Sequence, residues 1–90
     1  MQTVIVVYGL RVPLVNGGAV TRLLRGYENW AMLTNGAYLL LTEKSVEQVR
    51  DDIGRLLNEG DVIYVGTAPA PSAWSGLSEE VSNWILGSQK

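Results

Sequence analysis

The sequence contains neither cysteine nor histidine. The absence of cysteine excludes disulfides, cysteine-based zinc fingers and thiol catalysis. The absence of histidine excludes histidine-based triads and most transition-metal sites, and it removes the commonest general base. A chain without cysteine needs no oxidising environment, so the reducing cytoplasm is the expected compartment.

Charge and long apolar runs are also scarce. Only 18% of the 90 residues are charged, whereas 47% are hydrophobic, which is the opposite of a disordered composition. No apolar run reaches the roughly 18 residues of a membrane-spanning helix. The first residues, Met1-Gln2-Thr3, lack the basic region of a signal peptide. We therefore expect one small globular domain with no membrane association and a thin core.

The net charge of −2 is unevenly distributed. Residues 1–27 hold three arginines and no acid, a net charge of +3. Residues 28–90 hold four basic and nine acidic side chains, a net charge of −5. Nucleic-acid binding usually needs a denser basic face, so Arg11, Arg22 and Arg25 are a weak indication of a phosphate-binding surface.

The first half of the chain predicts one strand, one helix and a hairpin. The β-branched run 3–8 is typical of a buried strand. Pro13 and Gly17-Gly18 predict a loop after it, with Asn16 as a possible N-cap of the first helix. Asn35-Gly36 then predicts a tight hairpin between two further strands, because both residues tolerate positive φ.

The second half predicts a helix, a strand and a tail. Ser45 and Gln48 have capping-box spacing, and Gly60 is the expected end of the helix that they begin. Within that helix Asp51 and Asp52 are expected to pair with Arg55. A strand follows, and in the tail Ser78 is a predicted cap of a short last helix.

This order of elements predicts an α+β fold. Residues 1–68 have the predicted order strand, helix, strand, strand, helix, strand. This order suggests a ferredoxin-like βαββαβ sandwich. Residues 69–90 then form a C-terminal tail with a short helix, which belongs to the same domain or to a dimer interface.

Both faces of the predicted sheet are apolar, although two helices can cover only one. Either the tail or a second chain must cover the other face, and we expect a homodimer packed sheet on sheet. The predicted interface residues are Val4, Val6, Tyr8, Leu39, Tyr64, Trp74 and Trp84. Trp30, like the other two tryptophans, is expected in the core or an interface rather than in a base-stacking platform.

Several motifs resemble a known family. The tail at residues 73–84 is similar to the A-W-x-G-[FL]-S-x-x-x-x-x-W ending of small SinR-family proteins, which are related to CRISPR-associated protein two. Residues 8–13, residues 45–51 and Asp61 match less specific stretches. The resemblance implies a ferredoxin-like fold, a homodimer with facing sheets, and a prokaryotic or phage origin.

The same resemblance bears on catalysis. It implies an aspartate after the first strand, one from each subunit, as the magnesium ligand of nuclease members. Here that position is Gly9, which offers no oxygen ligand from its side chain. The sequence contains no recognisable nucleophile–base pair and predicts no metal or cofactor.

The leading prediction is a non-catalytic homodimeric module for binding or assembly. One alternative is a metal-dependent endonuclease of RNA or DNA that uses Asp61, although an aspartate after a glycine is more often a turn residue. A second alternative is a non-catalytic nucleic-acid-binding protein that uses Arg11, Arg22 and Arg25. Besides the second subunit, the predicted partner is a nucleic acid or another protein.

Overall fold

A computed structural model describes residues 1–88 as a small α+β fold. The elements are β1 (Gln2–Gly9), α1 (Pro13–Arg25), β2 (Trp30–Thr34), β3 (Ala37–Thr42), α2 (Val46–Gly54), β4 (Val62–Thr67) and α3 (Glu79–Ser88). The four strands form one antiparallel sheet in the order β2-β3-β1-β4, which leaves β2 and β4 at the edges. The predicted α+β class is confirmed.

The core lies between the sheet and helices α1 and α2. Apolar residues at helical spacing on both helices meet alternate residues of the two central strands. The fully buried cluster consists of Val4, Val6, Val20, Leu24, Tyr38, Leu40, Val49 and Ile53. Ile63 and Val65 of β4 pack against this cluster. One face of the sheet is therefore covered by the chain's first two helices.

Helix α1 begins earlier than its sequence predicts. Pro13 is its first residue, where the fixed φ of proline suits a helix and the missing N–H is not needed. The prediction that Gly17-Gly18 lies in a loop is wrong, because both glycines are inside the helix. The N-cap is Val12, which offers no side-chain hydrogen bond, and Asn16 is instead a buried residue of the helix.

Helix α2 is capped as predicted but ends early. The Gln48 N–H donates to Ser45 Oγ at 3.1 Å, and the Ser45 N–H donates to Gln48 Oε1 at 2.8 Å. The helix ends at Gly54 rather than at Gly60. Glycine is a poor helix former, and the next residues close a tighter turn in which the Leu56 N–H donates to the Ile53 carbonyl.

The predicted hairpin at Asn35-Gly36 is present between β2 and β3. Only Gly36 has a positive φ, +81°, so the turn is not the type that needs positive φ at both positions. The Gly36 carbonyl accepts a hydrogen bond from the Tyr8 N–H at 2.8 Å. A Cβ at position 36 would lie 2.7 Å from the Tyr8 carbonyl oxygen, so this close approach requires glycine.

Helix α3 covers part of the second face of the sheet. The Ser78 hydroxyl accepts from the Val81 N–H at 3.1 Å, which confirms the predicted cap. The helix packs against β2 and buries Ile85, while Ala31 and Leu39, which lie opposite each other on β2 and β3, are also buried. Among residues 1–88 no helix has the length and apolarity needed to cross a membrane.

Candidate functional site

Within residues 1–88, the part of the second face formed by Val7 of β1 and by Val62 and Tyr64 of β4 remains exposed. Val7 lies opposite Tyr64, and Gly9 lies opposite Val62, so their side chains share one face. The exposed fractions are 42% for Val7, 66% for Tyr64 and 63% for Val62. We call Val7, Val62 and Tyr64 the open half-face.

Tyr64 owes its position on this surface to a glycine. A Cβ at Gly66 would lie 3.1 Å from two atoms of the Tyr64 side chain, Cε1 and Oη. The ring therefore lies over Gly66 and broadens the apolar surface along β4. Neither β1 nor β4 contains a charged residue, so nothing on these strands opposes contact with another apolar surface.

The predicted interface residues do not share one surface. Val4 and Val6 are fully buried under α1 and α2, so their assignment to a subunit interface is wrong. Tyr8 packs against that same core, and Leu39 is buried on the second face. Alternation in a strand separates two faces but does not identify the face that the helices cover, because both faces are apolar here.

The remaining predicted interface residues divide between the tail and the open half-face. Trp74 Nε1 donates to Ser82 Oγ at 3.0 Å, which fastens the extended tail to α3. Trp84 lies half-buried on α3. Tyr64 is the one member of the predicted set that lies on the open half-face.

Asp61 lies one residue before the pair formed by Gly9 and Val62, and its carboxylate accepts three hydrogen bonds. Oδ1 accepts from the Arg11 N–H at 2.8 Å. Oδ2 accepts from Asn16 Nδ2 at 2.9 Å and from the Asn58 N–H at 2.8 Å. The backbone hydrogen bond from Arg11, then those from Asn58 and Asn16, lower the pKa of the carboxyl below its usual value.

This arrangement argues against Asp61 as a metal ligand. Three N–H groups point at the carboxylate and use most of its acceptor capacity, so only Oδ1 keeps a lone pair for a cation. Within residues 1–88 no three acidic side chains are grouped as a metal site requires. Asp61 instead joins the β1–α1 loop, α1 and the α2–β4 connection, in agreement with its interpretation as a turn residue.

The three candidate arginines do not converge within one chain. Arg11 precedes α1, and its stem lies across Gly60, where a Cβ would come within 2.9 Å of Arg11 Cδ. Arg22 and Arg25 lie in the last turn of the same helix, roughly 14–18 Å along its axis from Pro13 at 1.5 Å per residue. A single phosphate-binding patch of all three is therefore absent from the described chain.

A polar cluster that sequence reasoning missed joins the segment after α1 to α2. Tyr27 Oη donates to Asp52 Oδ2 at 2.8 Å, and Lys44 Nζ donates to the same oxygen at 2.5 Å. Lys44 Nζ also lies 5.2 Å from the centre of the Tyr27 ring. Because Lys44 lies outside the helix, no helical spacing pairs it with Asp52, and no local signal indicates the cluster.

The titration of this cluster indicates a structural role. The hydrogen bond from Lys44 is the main cause that lowers the pKa of Asp52. Burial is the main cause that raises the pKa of Tyr27, and its hydrogen bond to Asp52 adds to the effect. A phenol that holds its proton more firmly is a poorer acid, so Tyr27 stays neutral and supplies no phenolate base near pH 7. The predicted pairing with Arg55 is wrong: Asp51 pairs with Arg50 at 3.0 Å, and Asp52 pairs with Lys44.

Two exposed surfaces are candidates for binding a partner: the open half-face and a groove beside the edge strand β2. Arg25 and Trp84 line that groove, which has a volume of about 630 Å³. The motifs at residues 8–13 and 73–84 carry the family resemblance, which stays a prediction. The chain matches no protein-family model, no curated protein and no solved structure.

Proposed function

We propose that this chain is a non-catalytic homodimeric module for binding or assembly, related to the SinR and CRISPR-associated protein two group. The observation that carries the proposal is the open half-face of Val7, Val62 and Tyr64. Helix α3 packs against β2 and leaves the open half-face exposed, so the tail supplies part of the missing cover. The remainder fits a second copy of the chain.

The proposal includes a ferredoxin-like arrangement of the first six elements. Their order is strand, helix, strand, strand, helix, strand, and the sheet order from the other edge is β4-β1-β3-β2. Helices α1 and α2 share one face of the sheet, which supports this assignment. Helix α3 is an addition on the opposite face.

A second copy suits the open half-face because the surface is apolar, uncharged and continuous across two strands. A two-fold dimer places the same patch of both subunits in contact, so an apolar patch is its own complement. The folded chain exposes 5762 Å², against roughly 5,200 Å² for a compact monomer of 9.8 kDa. The excess is of the order that a modest interface would cover on each subunit.

The absence of catalysis is supported by two positions. Gly9 provides no side-chain ligand where the resembled nucleases have an acid. Asp61, which lies just before β4 at the same end of the sheet, accepts hydrogen bonds from three N–H donors. No second function has a comparable structural observation in its favour.

Light scattering coupled to size exclusion tests the proposal. We expect twice the chain mass for the wild type, and Tyr64→Asp should weaken the dimer at least about tenfold by placing a charge in an apolar contact. Leu14→Asp is the matched control, because Leu14 is 99% exposed on α1, away from the open half-face. A wild-type monomer would contradict the proposal, as would equal dissociation of the two variants.

A further inference from the structure

The edge strand β2 has one side of its backbone free. The Leu41 N–H donates to the Asn29 carbonyl at 3.0 Å, so the backbone groups of Asn29, just before β2, point towards β3. Alternate residues of an antiparallel strand turn their backbone groups to opposite sides. The N–H and C=O groups of Trp30 and Met32 therefore point away from β3, and within residues 1–88 no other strand pairs with them.

These free backbone groups form the floor of a walled groove. Trp30, Ala31 and Met32 line its base, and its volume is about 630 Å³. Arg25 of α1 lines one side, while Val81 and Trp84 of α3 line the other. The two walls belong to opposite faces of the sheet, so the edge of β2 lies between them.

The chemistry of the walls favours a peptide over a nucleic acid. Arg25 lies over one face of the Trp30 ring, 5.2 Å from its centre, and the tilted Tyr38 ring lies 6.0 Å away. The face under Arg25 is therefore not free to stack a base. Glu80 lies in the α3 wall, so negative charge, from a phosphate or from an acidic side chain, is disfavoured on that side of the groove.

Arg25 supplies the charge that selects the peptide. Its guanidinium is held over Trp30, and Nη2 lies 3.9 Å from Met32 Sδ. In the part of the chain that the structure describes, no carboxylate pairs with it. Successive side chains of an added strand would point alternately towards Arg25 and towards Val81 and Trp84.

We propose that the β2 groove binds an extended peptide of another protein as an added strand, with acidic side chains towards Arg25 and aliphatic side chains towards α3. Backbone hydrogen bonds to Trp30 and Met32 would supply affinity, and the alternating side chains would supply specificity. This site does not depend on the proposed dimer, because the open half-face lies on β1 and β4, with β4 at the opposite edge of the sheet.

A labelled peptide of three Val-Glu repeats tests the site by fluorescence anisotropy. We expect saturable binding, and we expect Arg25→Glu to weaken it about tenfold, because a favourable cross-strand pair becomes a repulsive one. Arg25→Glu should in turn bind a Val-Lys repeat more tightly than the wild type does. Arg22→Glu is the matched control, since Arg22 does not line the groove, and it should bind like the wild type.

Two N-methylated peptides test the added strand on the wild-type protein, so the test does not depend on the folding of any variant. One is methylated at the valines and the other at the glutamates, and both keep their side chains. Because alternate residues turn their N–H groups to opposite sides, only one of the two loses the donors that face β2, and we expect that peptide alone to lose binding. Equal binding of the two methylated peptides would overturn the proposal, as would no binding of the Val-Glu repeat at millimolar concentration. Displacement of the Val-Glu repeat by single-stranded oligothymidine would assign the groove to nucleic acid instead.

Discussion

Asn16 and Asp61, 45 residues apart in the chain, are joined by a hydrogen bond of 2.9 Å from Nδ2 to Oδ2. The same Asn16 amide donates to the Leu56 carbonyl at 2.7 Å. One buried side chain of α1 thus holds both ends of the connection between α2 and β4. This contact gives Asn16 a role that a solvent-exposed cap would not have.

The first prediction concerns the stability that this contact provides. Asn16→Ala should lower the free energy of unfolding by about 1–3 kcal/mol, because the Leu56 carbonyl loses its donor at a part-buried site. Urea unfolding followed by circular dichroism measures the change. Asn58→Ala is the control, since Asn58 contributes its backbone N–H to Asp61. Equal stability of both variants would show that the Asn16 amide contributes nothing.

The second prediction concerns acid. Hydrogen bonds lower the pKa of Asp61 and of Asp52 in the folded chain. Because the pKa is lower in the folded chain, each ionised carboxylate stabilises the fold at pH values above the unfolded-chain pKa of 3.8. This stabilisation is lost as the pH falls through the pKa of the folded chain. The free energy of unfolding should therefore decline as the pH drops below about 4.

Asp61→Asn identifies how much of this acid dependence belongs to one site. The variant cannot ionise, so its stability should vary less with pH over the acidic range than that of the wild type. Urea midpoints measured at a series of pH values give both slopes. Parallel curves for the two proteins would mean that Asp61 titrates alike in the folded and unfolded chains.

The third prediction concerns alkali. Burial and the hydrogen bond to Asp52 raise the pKa of Tyr27 above its usual 10.0. The neutral phenol stabilises the fold fully at pH values below the unfolded-chain pKa of 10.0. This stabilisation is lost as the pH rises through the higher pKa that Tyr27 has in the folded chain. Tyr27→Phe should be less stable at neutral pH and should lose less stability in alkali. A thermal melt that shows the same alkaline decline for both proteins would contradict this.

The fourth prediction concerns nuclease activity. The wild type should not cleave RNA or DNA with magnesium or manganese, because Gly9 lacks a carboxylate and the Asp61 oxygens already accept three hydrogen bonds. A gel assay with labelled substrates checks this. Cleavage by the wild type that disappears in a folded Asp61→Asn variant would restore the endonuclease hypothesis.

Local signals in the sequence predicted local structure well. Ser45 with Gln48, and Ser78, are caps whose partners lie three residues away, so spacing alone identifies them. Asn35-Gly36 likewise predicts its hairpin from two adjacent residues. The start of α1 was mispredicted because Gly17-Gly18 weakens a helix that tertiary packing of Val20 and Leu24 nevertheless stabilises.

The candidate surfaces depended on contacts that no local pattern contains. Val4 and Val6 differ from Val7 only in the face that they occupy, and the position of α1 and α2 determines which face is buried. The β2 groove requires the strand order and the position of α3 together. Arg25 was recognised as a candidate residue, but its neighbour Trp30 and its wall partner Trp84 come from distant parts of the chain.

The placement of β2 and β4 at opposite edges of the sheet has a consequence for valency. A dimer joined through the β1 and β4 side keeps one β2 groove on each subunit, so it presents two equivalent sites. A partner with two copies of an acidic-aliphatic segment on a linker long enough to reach both would bind its second segment at a millimolar effective concentration. Two grooves that each bind weakly would then bind such a partner stably through avidity. A monomeric variant would lose this increase in overall affinity, while each groove would keep its own affinity for a single segment.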